Sequence, residues 1–503
     1  MTFGSAIFAP FTVAVLVACA ALGRERRWIV LLVASYAFYA SASSIAMLAV
    51  LAGVTVASYL CALGVERHAS SRRRHVFFWV GVVAAVGPLL ALKYAAFFVE
   101  NLGALAELTG RGSPLGSVPV VAAVGLSYYV LQSVSYLLDV RDGVVSAERH
   151  LGRHALAIAF FPKMVQGPIE RAGTLLPQLR DPRPLRAQDV VAGAQLVLWG
   201  LFQKTVVADR LAPLVDAAFS DVRHHAGLPL LVATYLYSAQ LYFDFAGYTD
   251  VALGLGRALG IRLTPNFASP YLARSVAEFW RRWHISLSSW LLDYVFRPLQ
   301  LGLRDWRTWG TPAALVVTFL VSGLWHGASW TFVAWGLLHG IYLAASVLYR
   351  PLQRRLHRAL RLDGSRVLGG VQVAVTFHLV CLGWVFFRAR SLRDALDAVR
   401  LLGSELPATA TRAATGHDVD ALVFLGQGRS AFLAAVAAIA AAIALRALLG
   451  GVRPPAPVPE EPAEGARPVG IAAAYARTAV YAFLIYGIVA LGTSAQSFLY
   501  AQF

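Results

Sequence analysis

Apolar stretches of roughly 18 to 25 residues, the length of a helix that crosses a bilayer, recur from one end of the chain to the other. Their even spread favours one large helical bundle over several soluble domains. We therefore predict an all-α polytopic membrane protein with about 11–12 transmembrane helices. The predicted spans lie near residues 4–22, 28–41, 44–64, 76–98, 118–139, 190–217, 228–250, 311–325, 328–349, 366–388, 430–450 and 471–495.

Two segments depart from this pattern. Residues 154–168 are apolar but short, and prolines and a glycine interrupt them, so we predict a re-entrant or half-length segment. Residues 266–300 are semi-polar and rich in tryptophan and arginine. Their apolar positions recur every three or four residues, which predicts one amphipathic helix at the cytoplasmic interface. These positions are Phe279, Trp283, Leu287, Trp290 and Tyr294.

The basic residues lie in short loops on one side of this arrangement, which makes that side cytoplasmic. The chain has 44 Lys and Arg against 27 Asp and Glu, a net charge of +17. In a soluble protein this excess suggests nucleic-acid binding, but between apolar spans it indicates contact with the lipid bilayer. We therefore expect no nucleic-acid partner.

The remaining segments suggest one domain, residues 1–503, with its core motifs in 120–390. Residues 388–429 are predicted to form a loop, and the Pro- and Glu-rich residues 451–470 a flexible linker. The three cysteines lie in apolar segments without metal-ligand spacing, so neither a metal site nor a disulfide is predicted.

The strongest candidate for chemistry is His326, in the segment SGLWHGASWTF at 322–332 between two predicted spans. An ionisable side chain at membrane depth is costly and therefore suggests a function. A neutral imidazole suits a general base that takes the proton of a hydroxyl as it attacks a thioester. Trp325 and Trp330 could wall such a site. The alternative is a structural histidine, hydrogen-bonded between packed helices.

A second candidate is the segment EFWRRWHISLSSWLLDY at 278–294. His284 could orient an acyl group, bind a donor phosphate or merely lie at headgroup level. Arg281 and Arg282 could bind the phosphates of coenzyme A or phosphopantetheine. The alternative is an interfacial helix whose arginines contact lipid phosphates and whose tryptophans form an aromatic belt.

A third segment, YFDFAGYTDVALGLG at 242–256, carries two acids at the end of a predicted span. Asp244 and Asp250 are expected to pair with the arginines of the second segment. Its glycines indicate close helix packing rather than a phosphate-binding loop, because no strand precedes them. His339 and His378, in apolar helices, are predicted to be structural.

These segments resemble the membrane-bound O-acyltransferase (MBOAT) family. The branch concerned includes the bacterial alginate O-acetyltransferase membrane subunit and, more distantly, the teichoic acid D-alanyl transferase. The resemblance runs along nearly the whole chain. Its motifs are LLVASYAFYA at 31–40, GLSYYVLQSVSYLLDVRDG at 125–143, FFPKMVQGPIER at 160–171, GLFQKTVVADRLA at 200–212, YFDFAGYTDVALGLGRALG at 242–260, PNFASPYLARSVAEFWRRWHISLSSWLLDY at 265–294, GLWHGASWTFVAWGLLHG at 323–340, GWVFFRA at 383–389 and FLYAQF at 498–503.

The resemblance implies a bundle around a tunnel in which a cytoplasmic acyl donor meets its acceptor. The family's catalytic histidine maps onto His326, and its second histidine, in the RRWHISLS motif, onto His284. A donor pocket lined from residues 265–294 is also implied. The substrate-binding residues predicted in this way are Trp325, Trp330, Asn266, Trp280, Arg281, Arg282 and Asp293.

By the same resemblance we expect an O-acyltransferase of the bacterial inner membrane without a tightly bound cofactor. It would move an acetyl group from acetyl-CoA or a phosphopantetheine carrier thioester to an exported polysaccharide. The transfer would be direct or would use a periplasmic acetyltransferase partner, as in the alginate-type systems. The alternative is a non-catalytic transporter or scaffold of a polysaccharide export or modification complex, because many spans and intramembrane charge suit that function too.

Overall fold

The computed structural model describes residues 1–109, 124–359, 365–448 and 480–492, and these form helices joined by turns, with no strand among them. In chain order the helices are α1 (Phe8–Ala21), α2 (Gly23–Ala42), α3 (Ile45–Arg67), α4 (Arg73–Leu89), α5 (Ala95–Leu108), α6 (Leu126–Arg141), α7 (Leu151–Ala159), α8 (Ala172–Arg180), α9 (Ala187–Phe202), α10 (Asp209–Ser220), α11 (Leu228–Ala258), α12 (Val276–Arg282), α13 (Ile285–Leu291), α14 (Arg297–Gly302), α15 (Gly310–His326), α16 (Trp330–Ala359), α17 (Arg366–Arg388), α18 (Leu392–Ala414), α19 (Val419–Leu422) and α20 (Arg429–Leu448).

Seven helical stretches in the described residues are long and apolar enough to cross a membrane, which confirms the predicted all-α polytopic fold. Shorter apolar helices occupy Phe8–Ala21 and Val480–Leu491, within the first and last predicted spans. The total of 11–12 spans stays a prediction. The seven stretches are Ile45–Arg67, Arg73–Leu108, Ala187–Ser220, Arg304–His326, Trp330–Leu356, Arg366–Arg388 and Arg429–Ala447.

The half-length segment predicted at 154–168 is confirmed. Helix α7 ends at Ala159, and a single 3-10 turn over Phe161–Lys163 follows it. The Lys163 ammonium is fully buried and donates to the side chain of Gln132 and, at 3.3 Å, to the carbonyl of Ile158. Non-helical backbone is thus enclosed by protein, as its polar groups require at membrane depth.

The prediction of one continuous helix through residues 279–294 is wrong. Helix α12 ends at Arg282, and α13 begins at Ile285. Between them Trp283 is extended and His284 is left-handed, with φ 43° and ψ 54°. The apolar positions keep helical spacing on either side of the break, so their period alone did not reveal it.

The predicted loop at 388–429 is also wrong, because most of it is helical. Helix α18 covers Leu392–Ala414, and Ser391 caps its start by accepting from the Asp394 amide at 3.1 Å. Charged residues alternate with apolar ones along this helix, so it lacks the long apolar stretch used to recognise spans.

The chain divides into two compact units. The first unit comprises Met1–Leu16, Arg183–Pro265 and Arg400–Tyr500, and the second comprises Val17–Pro182, Asn266–Val399 and Ala501–Phe503. The single domain 1–503 stays a prediction. The predicted linker 451–470 lies outside the described residues.

In the first unit, α9 and α11 pack closely through paired glycines. A Cβ added at Gly247 would lie 2.6 Å from the carbonyl oxygen of Gly200, and one at Gly254 would lie 2.5 Å from that of Gly193. Only glycine allows the two backbones to approach so closely. The packing function predicted for the glycines of 242–256 is thereby confirmed.

The first unit also encloses a buried charge cluster. Lys204 lies on a π-helical turn over Gln203–Ala208, and its ammonium is 2.8 Å from Asp209 and 2.6 Å from Asp244. Asp250 accepts from the side-chain amide nitrogen, Nε2, of Gln203 at 2.7 Å. Both acids of the third segment are therefore engaged within this unit, and their expected pairing with the arginines near residue 281 is wrong.

Candidate active site

His326 is the last residue of α15. The helix ends there because Gly327 is extended, with φ −169° and ψ 153°. The imidazole is buried, at 4% exposure, and aromatic rings surround it. The ring centroids of Trp325 and Trp335 each lie 4.9 Å from its own, and that of Phe387 lies 5.3 Å away. The predicted catalytic histidine thus lies in an apolar, mainly aromatic enclosure.

The carboxyl end of α15 is held by side chains that follow α4. The Lys93 ammonium donates to the carbonyl oxygens of Trp325 and His326, at 3.1 Å each. The next residue, Tyr94, donates its hydroxyl to the carbonyl of Leu324 at 2.5 Å. Sequence reasoning did not single out Lys93, although a lysine inside an otherwise apolar predicted span was an available signal.

His284 lies in the turn between α12 and α13 and faces the same enclosure. Its ring centroid is 6.4 Å from that of His326 and 5.9 Å from that of Trp325. Burial lowers the pKa of His284 to about 3, so the imidazole is neutral at physiological pH. The structure therefore brings together the two histidines that the sequence singled out, although 42 positions separate them in the chain.

Asn266 fixes the turn that carries His284. Its backbone carbonyl accepts from the Ile285 amide at 3.0 Å. Its side-chain oxygen accepts from the amide of Ser286 at 3.2 Å and from the hydroxyl of Ser286 at 2.7 Å. Asn266 is fully buried. These bonds support the left-handed backbone at His284, which costs free energy in any residue but glycine.

Trp280 forms a second layer of the wall. Its indole nitrogen donates to Nδ1 of His339 at 3.3 Å, and its ring centroid lies 5.6 Å from that of Trp335. His339 lies 5.1 Å from Trp335, centroid to centroid. Because Nδ1 accepts this bond, we assign the proton of neutral His339 to Nε2. His339, predicted to be structural, is thus part of the wall behind His326.

The charged residues predicted to bind substrate lie on α12 and just after α13. The side chain of Arg281 is exposed. Arg282 forms an ion pair with Glu278 at 2.5 Å, one helical turn before it. Asp293 pairs with Arg171 at 3.1 Å, and its side chain is 38% exposed. These contacts are all within the protein and do not test substrate binding, which stays a prediction for the three residues.

Trp330 is placed differently from Trp325. It begins α16, is 53% exposed, and donates its indole N–H to the side chain of Asn101 at 2.8 Å. Its ring lies 5.7 Å from that of Phe97. The described contacts of Trp330 are therefore with α5, and the structure does not bring it to the rings around His326.

The arrangement suits proton transfer in an apolar setting. A neutral imidazole can take a proton from a hydroxyl, and a second neutral imidazole nearby can orient a reacting group without adding charge. The ring centroid of Trp325 lies 5.9 Å from that of His284 and 4.9 Å from that of His326, so one indole borders both imidazoles. The site is held by backbone bonds and aromatic packing, which keep its two imidazoles in fixed relative positions.

Comparison with known proteins identifies the family. Residues 157–382 match the model of the MBOAT, membrane-bound O-acyltransferase family. The chain is 38% identical over 372 residues to a protein of Azotobacter vinelandii named probable alginate O-acetylase, covering 73% of this chain and 70% of that protein.

Two further relatives carry different names. A peptidoglycan O-acetyltransferase of Helicobacter pylori is 32% identical over 399 residues, covering 74% of this chain and 72% of that protein. A teichoic acid D-alanyltransferase of Bacillus subtilis is 27% identical over 278 residues, covering 54% and 70%. The resemblance stated from the motifs is thereby confirmed, including its more distant member.

The chain is a multi-pass all-α protein with buried histidines, and its residues 157–382 match the acyltransferase family model. Together these findings place it in the class of membrane-embedded acyl-group transferases. The chain belongs to the membrane-bound O-acyltransferase family and is an O-acyltransferase. This assignment favours an enzyme over the non-catalytic transporter or scaffold considered from the sequence. Both histidines lie inside the matched segment.

Proposed function

We propose that this O-acyltransferase moves an acetyl group from a cytoplasmic thioester to an exported cell-surface polysaccharide, with His326 as general base. The donor is acetyl-CoA or a phosphopantetheine carrier protein, and the enzyme resides in the bacterial inner membrane. The transfer is direct or uses a periplasmic acetyltransferase partner. The observation that carries the proposal is the 6.4 Å approach of the two buried imidazoles of His284 and His326.

In the proposed reaction the neutral imidazole of His326 takes the proton of the acceptor hydroxyl while the hydroxyl oxygen attacks the thioester carbonyl. A C–O bond forms, and the tetrahedral intermediate collapses by breaking the C–S bond. The leaving thiolate takes the proton from the imidazolium, so His326 returns to its neutral form. The rings of Trp325, Trp335 and Phe387 exclude water and so favour transfer over hydrolysis.

His284 is proposed to orient the acyl group or the attacking hydroxyl. A neutral imidazole can donate one hydrogen bond and accept another, which suits a group that must hold both reactants in turn. Arg281 and Arg282 are proposed to bind the donor phosphates. In support, Arg281 is exposed and Arg282 is already aligned by Glu278.

The acceptor is proposed from the names of the relatives. They are named for alginate, peptidoglycan and teichoic acid, three polymers of the cell surface or its exterior. A base placed inside the membrane also suits transfer between a donor on one side and an acceptor on the other. Both considerations support a surface polymer as the final acceptor.

The test measures ester-linked acetate on purified surface polysaccharide from cells with wild-type protein, His326→Ala or His378→Ala at equal membrane levels. We expect His326→Ala to lower the ester content at least about 100-fold, because it removes the general base. His378 is a matched control, since it is exposed on α17 and bonded to the Ala374 carbonyl of its own helix. Unchanged ester in His326→Ala would refute the assignment of the base.

The donor is tested separately with purified protein and a radiolabelled acetyl thioester. Transfer of label from acetyl-CoA without a carrier protein would identify coenzyme A as the donor. Transfer only from the carrier-bound thioester would identify the carrier. No transfer from either compound, with wild-type protein that supports acetylation in cells, would reject a cytoplasmic thioester donor.

A further inference from the structure

The contacts of Lys93 connect a separate transmembrane helix to the backbone of the proposed base. Besides the carbonyl oxygens of Trp325 and His326, its ammonium reaches the hydroxyl of Ser127 at 3.4 Å. An ammonium has three protons, and three acceptors surround this one. Tyr94 adds a bond to the Leu324 carbonyl. Two adjacent side chains therefore bind three successive carbonyls at the end of α15.

A local irregularity in the helix places both side chains. Residues Leu90–Tyr94 form a π-helical turn between α4 and α5, which begins two residues after Pro88. Proline lacks the N–H that would bond to the carbonyl four residues earlier, and its ring crowds that carbonyl. The helix widens just beyond this position, and π-helical turns of this kind are frequent at functional sites.

We infer that Lys93 is a positioning residue, which fixes the carboxyl end of α15 and thereby the imidazole of His326. The last carbonyls of a helix have no partner within the helix, and a cation near them is favourable because of the helix dipole. Here the last turn also carries the proposed base. The inference rests on the proposed function, since it concerns how His326 is held for proton transfer.

The same contacts argue against direct catalysis by the ammonium. Its described acceptors belong to the protein backbone and to Ser127, so each of its protons is already directed at a protein oxygen. The lysine thus acts on the reaction through the geometry of α15. Loss of such a contact lowers the rate of the chemical step more than it changes substrate binding.

The experiment compares purified full-length wild type, Lys93→Met, Lys93→Arg and, as a matched control on α5, the exposed Glu100→Gln. We expect Lys93→Met to lower kcat about 100-fold while KM for the thioester changes by less than about twofold. Lys93→Arg keeps a cation with several donors and should recover kcat to within about tenfold of wild type. Glu100→Gln should match wild type.

A second readout does not depend on activity. Amide hydrogen exchange of peptides covering residues 320–332 should speed up in Lys93→Met and stay near wild type in Lys93→Arg, because the last turn of α15 loses its cap. Exchange in α3, α9 and α20 should not change. If Lys93→Met is misfolded, exchange will instead be faster in every helix. The exchange at 320–332 and the kcat of Lys93→Arg would then be the measurements that test the inference.

The outcomes separate the two proposals. Faster exchange at 320–332 together with a selective fall in kcat supports the inference. Unchanged exchange overturns it, and so does faster exchange with unaltered kcat, because the cap would then have no bearing on the reaction. If wild type transfers no acetyl group, the proposed function fails. The exchange measurement still shows whether Lys93 holds the end of α15. Unchanged exchange would then overturn the proposed capping by Lys93 as well.

Discussion

Two lysines lie on π-helical turns within long apolar helices, and their ammonium groups have different partners. Lys204, in the first unit, contacts the carboxylates of Asp209 and Asp244 at 2.8 and 2.6 Å. Lys93, in the second unit, contacts two backbone carbonyls and a hydroxyl. Among the residues that the structure describes, no carboxylate forms an ion pair with Lys93. The same residue type in the same local geometry therefore has two sets of partners.

The difference teaches how a charge inside an apolar helix should be interpreted. An ammonium between two carboxylates forms a closed cluster that links helices and has little capacity for further chemistry. An ammonium on carbonyl oxygens stabilises one helix end and defines the position of whatever that end carries. A charge at membrane depth indicates importance in both cases, but only the partners show whether it supports the fold or the site.

The largest effect on stability is expected from Lys204→Met. The variant leaves two carboxylates buried without their ammonium, and breaking a buried pair in this way costs on the order of 3–5 kcal/mol. We expect a markedly lower midpoint of thermal unfolding in detergent, with acetyl transfer per folded molecule close to wild type.

The control for this variant is the double change Lys204→Met with Asp244→Asn, which removes one carboxylate charge together with the ammonium. Part of the lost stability should return. If Lys204→Met unfolds at the wild-type temperature, the cluster does not stabilise the first unit, and the contrast with Lys93 disappears.

A smaller effect is expected where packing, not charge, holds the site. A Cβ added at Gly383 would lie 2.6 Å from Nε2 of His339. Gly383→Ala should therefore displace His339 and weaken its bond with Trp280. Overpacking of this kind costs about 1–3 kcal/mol, and we expect a several-fold fall in kcat as the wall behind His326 shifts.

Gly370→Ala is the matched control on the same helix, because a Cβ there would meet nothing within 4 Å. It should be neutral or slightly stabilising, since alanine favours helix more than glycine. Measurement of unfolding temperature and acetyl transfer for both variants checks the prediction. Equal behaviour of the two would show that His339 is not confined as described.

The sequence predicted the features that depend on pattern and motif. Long apolar stretches located the seven helices that are long enough to cross a membrane, and interrupted apolar residues located the half-length segment. His326 and His284 were recognised through motifs, and the structure brings them together. The glycines near residue 250 were correctly assigned to packing, because no predicted strand precedes them as a phosphate-binding loop requires.

The remaining features depend on contacts between residues far apart in the chain. The break at His284 is fixed by Asn266, 18 positions earlier, and no local period records such a bond. The cap on α15 comes from Lys93, more than 200 positions away. Trp330 seemed equivalent to Trp325 because both flank His326 in the sequence, yet Gly327 ends the helix between them and sends Trp330 to α5.

The smallest effect concerns pH and again contrasts paired charge with apolar enclosure. Burial holds His284 neutral with a pKa of about 3 in the folded protein, against about 6.5 when the chain is unfolded. The unfolded state therefore binds the extra proton first as the pH falls. The stability from neutral His284 is fully present above pH 6.5 and is lost progressively as the pH falls towards 3.

Between pH 6.5 and 5.5 this linkage should lower the free energy of unfolding by about 1 kcal/mol. His284→Gln lacks the titrating group, so its stability should fall less over the same interval by that amount. Thermal or denaturant unfolding of both proteins in detergent at the two pH values measures the difference. Equal slopes for wild type and His284→Gln would show that His284 is protonated as readily in the fold as in the unfolded chain. An apolar enclosure around the two imidazoles would then be untenable.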